Sequence, residues 1–430
     1  MNPDLKISSR PFRVTGARGV LYCEGVSLDA LAKQYGTPLY VYSANQMLER
    51  LRLFQNAFAG RDHLVCYAVK ANSTLAILKL LAEEGAGFDI VSGGELARVM
   101  AAAPDAAGRV VFSGVGKTAD EIDCALGAGI LEFNVESEAE LALLAARAKQ
   151  RKMEARFALR VNPDVFADTH PYISTGLREH KFGIDIRKAA EIYRRAAKNN
   201  WLEPHGISVH IGSQIRSAEP FGAAIRRVSR LAAQLKREGV ALKAIDAGGG
   251  LGIDYHGGGS DGADAAAKVA EYAGAIEKAL AGFDGKLLIE PGRFIVAQAG
   301  ALVTRVLNVK KNGKKTFVIT DAAMNDLIRP ALYQAYHEIV PVRPRGGRTR
   351  TVDVVGPVCE TGDFFARDRQ LNPVEPGDLL ALLDAGAYGM AQSSNYNSRM
   401  RPAEVLVEGK RHRLIRRREE MKDLLATEII

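Results

Sequence analysis

Cysteine is scarce in this chain. Its four residues, Cys23, Cys66, Cys124 and Cys359, lack the close pairing of a zinc site and the density of a secreted disulfide scaffold. Reduced thiols are expected, and no metal site. The opening Met1–Arg10 contains no apolar leader core, and no later run approaches the charge-free length that spans a bilayer. A soluble cytoplasmic protein with no membrane role is the expectation. Blocks of one charge sign are missing too, although the formal charge is +8 and the pI near 9.2. Bases and acids interleave, as in Arg151-Lys152-Met153-Glu154 and Arg416-Arg417-Arg418-Glu419-Glu420, which argues against nucleic acid as a partner. A cationic surface suits a small polyanion equally well. No internal repeat or low-complexity segment stands out.

What is present is length and rhythm. With 430 residues and 47% hydrophobic content, the chain can build a large barrel and a second domain with its own core. Between about residues 64 and 290 short apolar runs alternate with alanine-rich amphipathic stretches. The runs are Leu64–Val69, Phe88–Val91, Val110–Phe112, Leu131–Val135, Arg156–Val161, Ile207–Ile211, Ala244–Asp246 and Leu287–Glu290. Eight such units in series predict a closed (β/α)8 TIM-like barrel, with a doubly wound sheet as the alternative on spacing alone. After Arg293 the texture becomes short valine- and leucine-rich pieces between turn residues: Ala301–Val309, Lys315–Thr320, Thr351–Val355 and Leu379–Leu383. Leu21–Cys23 and Leu39–Tyr42 have the same character, so the N-terminal segment is expected to join a mainly β domain. The fold class is therefore α/β plus β, with residues 1–43 and 294–430 forming the β domain and 44–293 the barrel.

Barrel sites form where strands end, so polar residues there carry the most information. The first barrel strand runs into Tyr67-Ala68-Val69-Lys70-Ala71-Asn72. Lys70 is either a surface cap or an amine in a partly desolvated pocket, suited to imine formation. The sixth ends Val209-His210-Ile211-Gly212-Ser213-Gln214, where His210 could be structural or lie flat on an aromatic cofactor, and Ser213 could donate to an anion. Gly248-Gly249-Gly250 follows the seventh strand; three glycines let backbone N–H groups converge on phosphate, and the loops after strands seven and eight are where barrels commonly hold it. The eighth ends Ile289-Glu290-Pro291-Gly292-Arg293. Glu290 and Arg293 could form a local ion pair, or the carboxylate could keep a pyridine nitrogen protonated.

Taken in this order, Tyr67–Asn72, His210–Ile215, Gly248–Gly250 and Glu290–Arg293 resemble the alanine-racemase-fold decarboxylases that use pyridoxal 5'-phosphate. The resemblance runs from about residue 35 to the end of the chain. Within that group, Thr169–Gly176, Lys181–Ile184, Ile328–His337 and Gly356–Asp363 are most similar to the diaminopimelate decarboxylases. Ornithine decarboxylases typically carry aspartate where Glu360 follows Cys359. Gly389–Ser394 is slightly divergent before the family-like Asn395-Tyr396-Asn397.

The resemblance implies removal of one carboxylate from meso-2,6-diaminopimelate to give L-lysine and carbon dioxide, the last step of lysine biosynthesis. It assigns Lys70 to the cofactor aldehyde, His210 to the ring face and Glu290 to the ring nitrogen. Phosphate falls to Ser213, Gly248, Gly249, Gly250, Gly292 and the Tyr388 hydroxyl. Arg293, Arg329, Tyr333 and Tyr388 are assigned to substrate carboxylates and Glu360 to the distal amine. Arg293 also lies at the cofactor, and Asp89 and Ser92, in Phe88-Asp89-Ile90-Val91-Ser92-Gly93-Gly94-Glu95, support it. Cys359 is implied as the proton donor, reaching across the interface of a homodimer with shared sites. Charge alone points the same way: the distal end of diaminopimelate is zwitterionic, and Arg329 with Glu360 offers both signs. The alternatives are a decarboxylase of ornithine, arginine or carboxynorspermidine, or a decarboxylase-like binding protein without cofactor. Lys70, Cys359 and Gly248–Gly250 argue against the latter, and Cys23, Cys66 and Cys124 have no evident role.

Overall fold

The computed structural model describes residues 10–15, 19–165, 181–256 and 262–430. The motif Thr169–Gly176 lies outside them. The chain forms two compact units, one from Leu48–Ile253 with Ala265–Phe294, the other from Met1–Met47 with Asp254–Asp264 and Ile295–Ile430.

Strands β1 (Phe12–Thr15), β2 (Val20–Cys23), β3 (Val26–Ser27) and β4 (Leu39–Ser43) precede the barrel. The barrel strands are β5 (His63–Ala68), β6 (Gly87–Ile90), β7 (Val110–Phe112), β8 (Glu132–Val135), β9 (Ala155–Asn162), β11 (Leu202–Ser208), β12 (Ala244–Asp246) and β13 (Lys286–Ile289), with a two-residue β10 (Ile184–Asp185) beside β9. All neighbours pair in parallel, and β13 returns to β5 through Leu287↔His63 and Ile289↔Val65, which closes the cylinder. The expected barrel is therefore present and the doubly wound alternative is not. Both faces of these strands are covered, which is why they read as continuous apolar runs.

One strand differs from its expected span. β11 starts at Leu202 and ends at Ser208, so Val209–Ile211 lie beyond it. Its first half, Leu202-Glu203-Pro204-His205-Gly206, does not look like a strand; a register shift between Pro204 and Gly206 accommodates the proline at a bulge, where no ladder donor is needed. Thr118 and Glu121 form a capping box on Ala119–Ala128, and left-handed Gly129 ends that helix. Phe54, Phe58 and Phe221 each pack edge-on against Tyr272, and Phe54 also against Phe294, contacts worth about 0.5–1.5 kcal/mol each beyond burial.

The other unit is built on β14 (Gly300–Asn312), β15 (Lys315–Thr320), β16 (Ile339–Pro341), β17 (Arg350–Val355), β18 (Phe364–Leu371), β19 (Leu379–Leu382), β20 (Ala403–Glu408) and β21 (Arg411–Arg416). The N-terminal β4 lies inside this sheet, antiparallel to β14 and parallel to β20, as the sequence led us to expect of the N-terminal segment. Its period-two pattern explains the placement. Leu39 and Val41 enter a core with Leu21, Leu31, Val303, Leu383 and Val405, while the hydroxyls of Tyr40 and Tyr42, on the opposite side, donate to Asp326 O at 2.6 Å and Glu404 Oε1 at 2.7 Å. Buried Arg10 is ion-paired with Asp384 and Glu338. Among the described residues no helix is long and apolar enough to cross a membrane.

Candidate active site

Lys70 follows β5 in a single 3-10 turn, Val69–Ala71. Its Nζ donates to Asp89 Oδ2 at 2.6 Å; Asp89 is fully buried on β6, whereas the lysine side chain is 35% exposed and so open to approach. Asp89 Oδ1 has no hydrogen-bond partner among the described residues. The next strand-end segment begins a helix: Ser92 Oγ accepts from Glu95 N–H at 3.2 Å, and Glu95 returns a bond from Val91 N–H at 2.8 Å. Burial pushes Glu95 up to about 7.

Opposite these residues the backbone is crowded. A Cβ on Gly248 would lie 2.2 Å from Val209 O, on Gly249 2.1 Å from Glu290 O and on Gly250 2.2 Å from Gly212 O. Gly248 and Gly250 also have φ of +67° and +111°, which only glycine adopts without strain. Gly292 lets the segment after β13 press on the turn that carries Lys70, since a Cβ there would meet those of Ala68 and Ala71 at 3.0 and 3.1 Å. Arg293 Nη2 donates to Ser213 Oγ at 3.1 Å, linking the ends of two strands. The His210 ring accepts from Gly249 N–H through Nδ1 at 3.3 Å, and burial, then the charges of Arg160 and Lys70, hold it well below the usual imidazole range. The ring is therefore neutral.

Glu290 is buried with Oε1 near Ser113 Oγ (3.4 Å) and Asn134 Nδ2 (3.3 Å). The same amide donates to Asp246 Oδ2 at 2.8 Å. Burial, followed by the charges of Asp246 and Asp89, pushes the Glu290 carboxyl well above the carboxylate range. Ser113, Asn134 and Asp246 were not singled out from the sequence. Ser113 stands just past β7, Asn134 lies within β8 and Asp246 ends β12, each beside apolar residues, and only ring closure turns all of them into the bore. Arg160 was missed as well; it ion-pairs with Glu136 at 3.0 Å and lies 4.9 Å over the Phe182 ring.

The remaining expected site residues belong to the β unit. Arg329 opens the helix Arg329–Tyr333, buried; its Nη1 lies 2.8 Å from His337 Nε2, and the guanidinium sits 4.5 Å over Tyr255. Tyr333 closes the same helix. Cys359 and Glu360 are exposed on a loop fastened by Asp363, whose carboxylate accepts from Met324 N–H at 2.7 Å and Val358 N–H at 2.8 Å. Cys359 N–H donates to Asn397 Oδ1 at 3.2 Å. Tyr388 is half-buried with φ of +55°, a conformation costly for a bulky residue and typical of constrained functional loops.

Residues 44–297 match the family described as "Pyridoxal-dependent decarboxylase, pyridoxal binding domain". The diaminopimelate decarboxylase of Pseudomonas aeruginosa is 52% identical over 95% of this chain and 96% of its own length, and that of Vibrio cholerae 51% over 96% and 97%. The chain belongs to the diaminopimelate decarboxylase family. Among solved structures, the Helicobacter pylori diaminopimelate decarboxylase complexed with L-lysine matches at 43% identity with a TM-score of 0.87, covering 93% of this chain and 98% of that one. The M. jannaschii diaminopimelate decarboxylase in co-complex with L-lysine gives 38% and 0.90, covering 97% and 98%.

Diaminopimelate decarboxylases are carboxy-lyases whose cofactor is pyridoxal phosphate, and the barrel fits that group. It offers an exposed amine on a buried carboxylate, a neutral ring-sized imidazole, an acid at the end of β13 and a glycine cradle with no room for Cβ atoms. Among the described residues no cluster of three His, Cys, Asp or Glu could hold a metal.

Proposed function

We propose that this chain converts meso-diaminopimelate to L-lysine and carbon dioxide as a cytoplasmic homodimer, with Lys70 carrying pyridoxal phosphate. The observation that carries this reading is the convergence of Lys70, His210, Glu290 and the Gly248–Gly250 loop at the strand ends of one barrel. Bound there, the cofactor supplies an electron-poor ring that accepts the electron pair left at the substrate α-carbon when carbon dioxide departs. Glu290 would hold the ring nitrogen and His210 the ring face. Ser213, Gly248–Gly250, Gly292 and the Tyr388 hydroxyl would hold the phosphate. Asp89 orients the Lys70 amine through their ion pair.

Arg293, Arg329, Tyr333 and Tyr388 take the substrate carboxylates and Glu360 the distal amine. The fixed guanidinium of Arg329, clamped by His337 and Tyr255, favours a substrate with a distal carboxylate over ornithine, whose distal end is only a cation. Cys359, exposed on its loop, hands a proton to the α-carbon from the neighbouring subunit. Incubation of the purified protein with pyridoxal phosphate and meso-diaminopimelate should yield lysine and carbon dioxide in equal amounts. Turnover of ornithine or arginine in preference, or of none of the three, would overturn the assignment.

A further inference from the structure

A guanidinium selects a carboxylate best when it is held in one orientation with its charge intact. At Arg329 the group that does the holding is His337. The chain folds back to bring the two together: Pro330 begins the short helix Arg329–Tyr333, Gln334 ends it with φ of +52°, and Ala335 N–H donates to Arg329 O at 3.3 Å. His337 is then fully buried, with Nε2 2.8 Å from Arg329 Nη1 and Nδ1 2.8 Å from Leu383 O.

Those two contacts fix the proton on the ring. A guanidinium nitrogen only donates and a carbonyl oxygen only accepts. Nε2 is therefore the acceptor, and Nδ1 carries the hydrogen that goes to Leu383 O. An imidazolium would set an N–H of one cation against an N–H of the other, so the ring is neutral. The contact orients the guanidinium without cancelling its charge, whereas a carboxylate in the same place would neutralise it.

The surroundings hold the imidazole in that pose. The Tyr255 ring meets it edge-on with centroids 5.6 Å apart, and the same tyrosine carries the Arg329 guanidinium 4.5 Å over its face. Arg369 on β18 donates to His337 O at 2.9 Å. Arg10 ion-pairs with Glu338 and Asp384, the residues that follow His337 and Leu383, and Leu383 N–H donates to Glu338 O at 2.9 Å. Both ends of the Nδ1–H to carbonyl bond are thus pinned through the backbone.

We propose that His337, as the neutral Nδ1–H tautomer, is a specificity-determining positioning residue that presents Arg329 to the distal carboxylate of the substrate. The inference rests on the reading that Arg329 binds that carboxylate. The distal carboxylate takes no part in bond breaking, so the contact is made equally before and during the chemistry. Its loss belongs in KM and not in kcat.

His337→Phe keeps a flat ring but removes the acceptor, and should raise KM for diaminopimelate about tenfold while kcat stays within about twofold of wild type. His337→Gln restores a neutral acceptor and should bring KM back to within about threefold of wild type. In an Arg329→Lys background, His337→Phe should raise KM no further, because the ring acts only through the guanidinium. A fall in kcat alone, no rescue by glutamine, or effects that multiply in the double variant would each overturn the inference. An unchanged KM in Arg329→Lys alone counts against the carboxylate reading and takes the inference with it. A raised KM there beside an unchanged one in His337→Phe strikes the inference alone. A second measurement needs no substitution: in wild-type protein carrying 15N-histidine and 13C-carbonyl leucine, the ring next to a labelled carbonyl should be protonated on Nδ1 and bare on Nε2. Protons on both nitrogens, or on Nε2 alone, would overturn the inference too.

Discussion

The proposed function gives Lys70 a covalent burden and Arg329 an electrostatic one, and each can be tested alone. An imine between a lysine and an aldehyde is reducible, so borohydride treatment of the loaded protein should fix the cofactor on the Lys70 peptide, and Lys70→Ala should abolish that labelling. Peptide mapping that finds the label unchanged on another lysine would remove Lys70 from its role. For Arg329, whose Nη1 lies against His337, the proposed carboxylate contact uses the planar guanidinium fork, which lysine cannot reproduce. Arg329→Lys should raise KM for diaminopimelate about tenfold or more, the loss of on the order of 1–3 kcal/mol. An unchanged KM would leave Arg329 a purely structural group. At this scale the sequence was informative wherever a motif surrounded the residue, as around Lys70 and Glu290. It was silent on Asn134 and Asp246, because which face of a short strand a lone polar residue occupies is decided only when the ring closes.

The loop Gly248–Gly250 shows the same limit at the scale of an element. Three glycines could have meant a flexible turn. The geometry shows why they are required, with Val209, Gly212 and Glu290 carbonyl oxygens lying where Cβ atoms would go. Gly249→Ala should push the loop away from the end of β13, weaken cofactor binding by at least about tenfold and lower the melting temperature; titration with pyridoxal phosphate followed by absorbance measures the first effect. Wild-type affinity in this variant would mean that the loop does not hold the phosphate. Strands were legible where apolar residues dominated, as in Val110–Phe112 and in Ala244–Asp246 up to its closing acid, both placed to the residue. Strands β18 and β21 were not, since Phe364–Leu371 and Arg411–Arg416 alternate with charged residues and read as surface. Pro204 hid the first half of β11 in the same way.

Two predictions belong to the whole molecule. Lys70→Ala and Cys359→Ala should each be inactive, and a mixture allowed to exchange subunits should regain activity, because one hybrid site then contains both groups. If exchange is demonstrated and the mixture stays dead, each site is built within one chain. The second concerns Arg10, which ties the start of the described chain to Asp384 near its end. Burial raises the Asp384 carboxyl from 3.8 to about 6 despite the opposing pull of Arg10. An acid raised on folding favours the folded state when protonated, so its penalty grows as pH climbs from the unfolded value through the folded one. Without Arg10 the folded value rises further. Arg10→Ala should therefore be only mildly destabilised at pH 5 and by about 3 kcal/mol at pH 8, compared by denaturant midpoints. A deficit that is constant with pH would mean that the contact acts by packing alone.

The position of β4 also dictates a timetable. Its partners are Gly300–Val303 of β14 and Ala403–Val407 of β20, so a strand made within the first tenth of synthesis has no edge to join until past residue 300, and its second neighbour comes only near the end. At about 5–20 residues per second, the roughly 360 residues between β4 and β20 take on the order of 20–70 s to emerge from the ribosome. The barrel strands are all made inside that interval. A nascent chain halted after residue 300 should therefore present a protease-resistant barrel and a cleavable leading segment, and release of the finished chain should protect both at once.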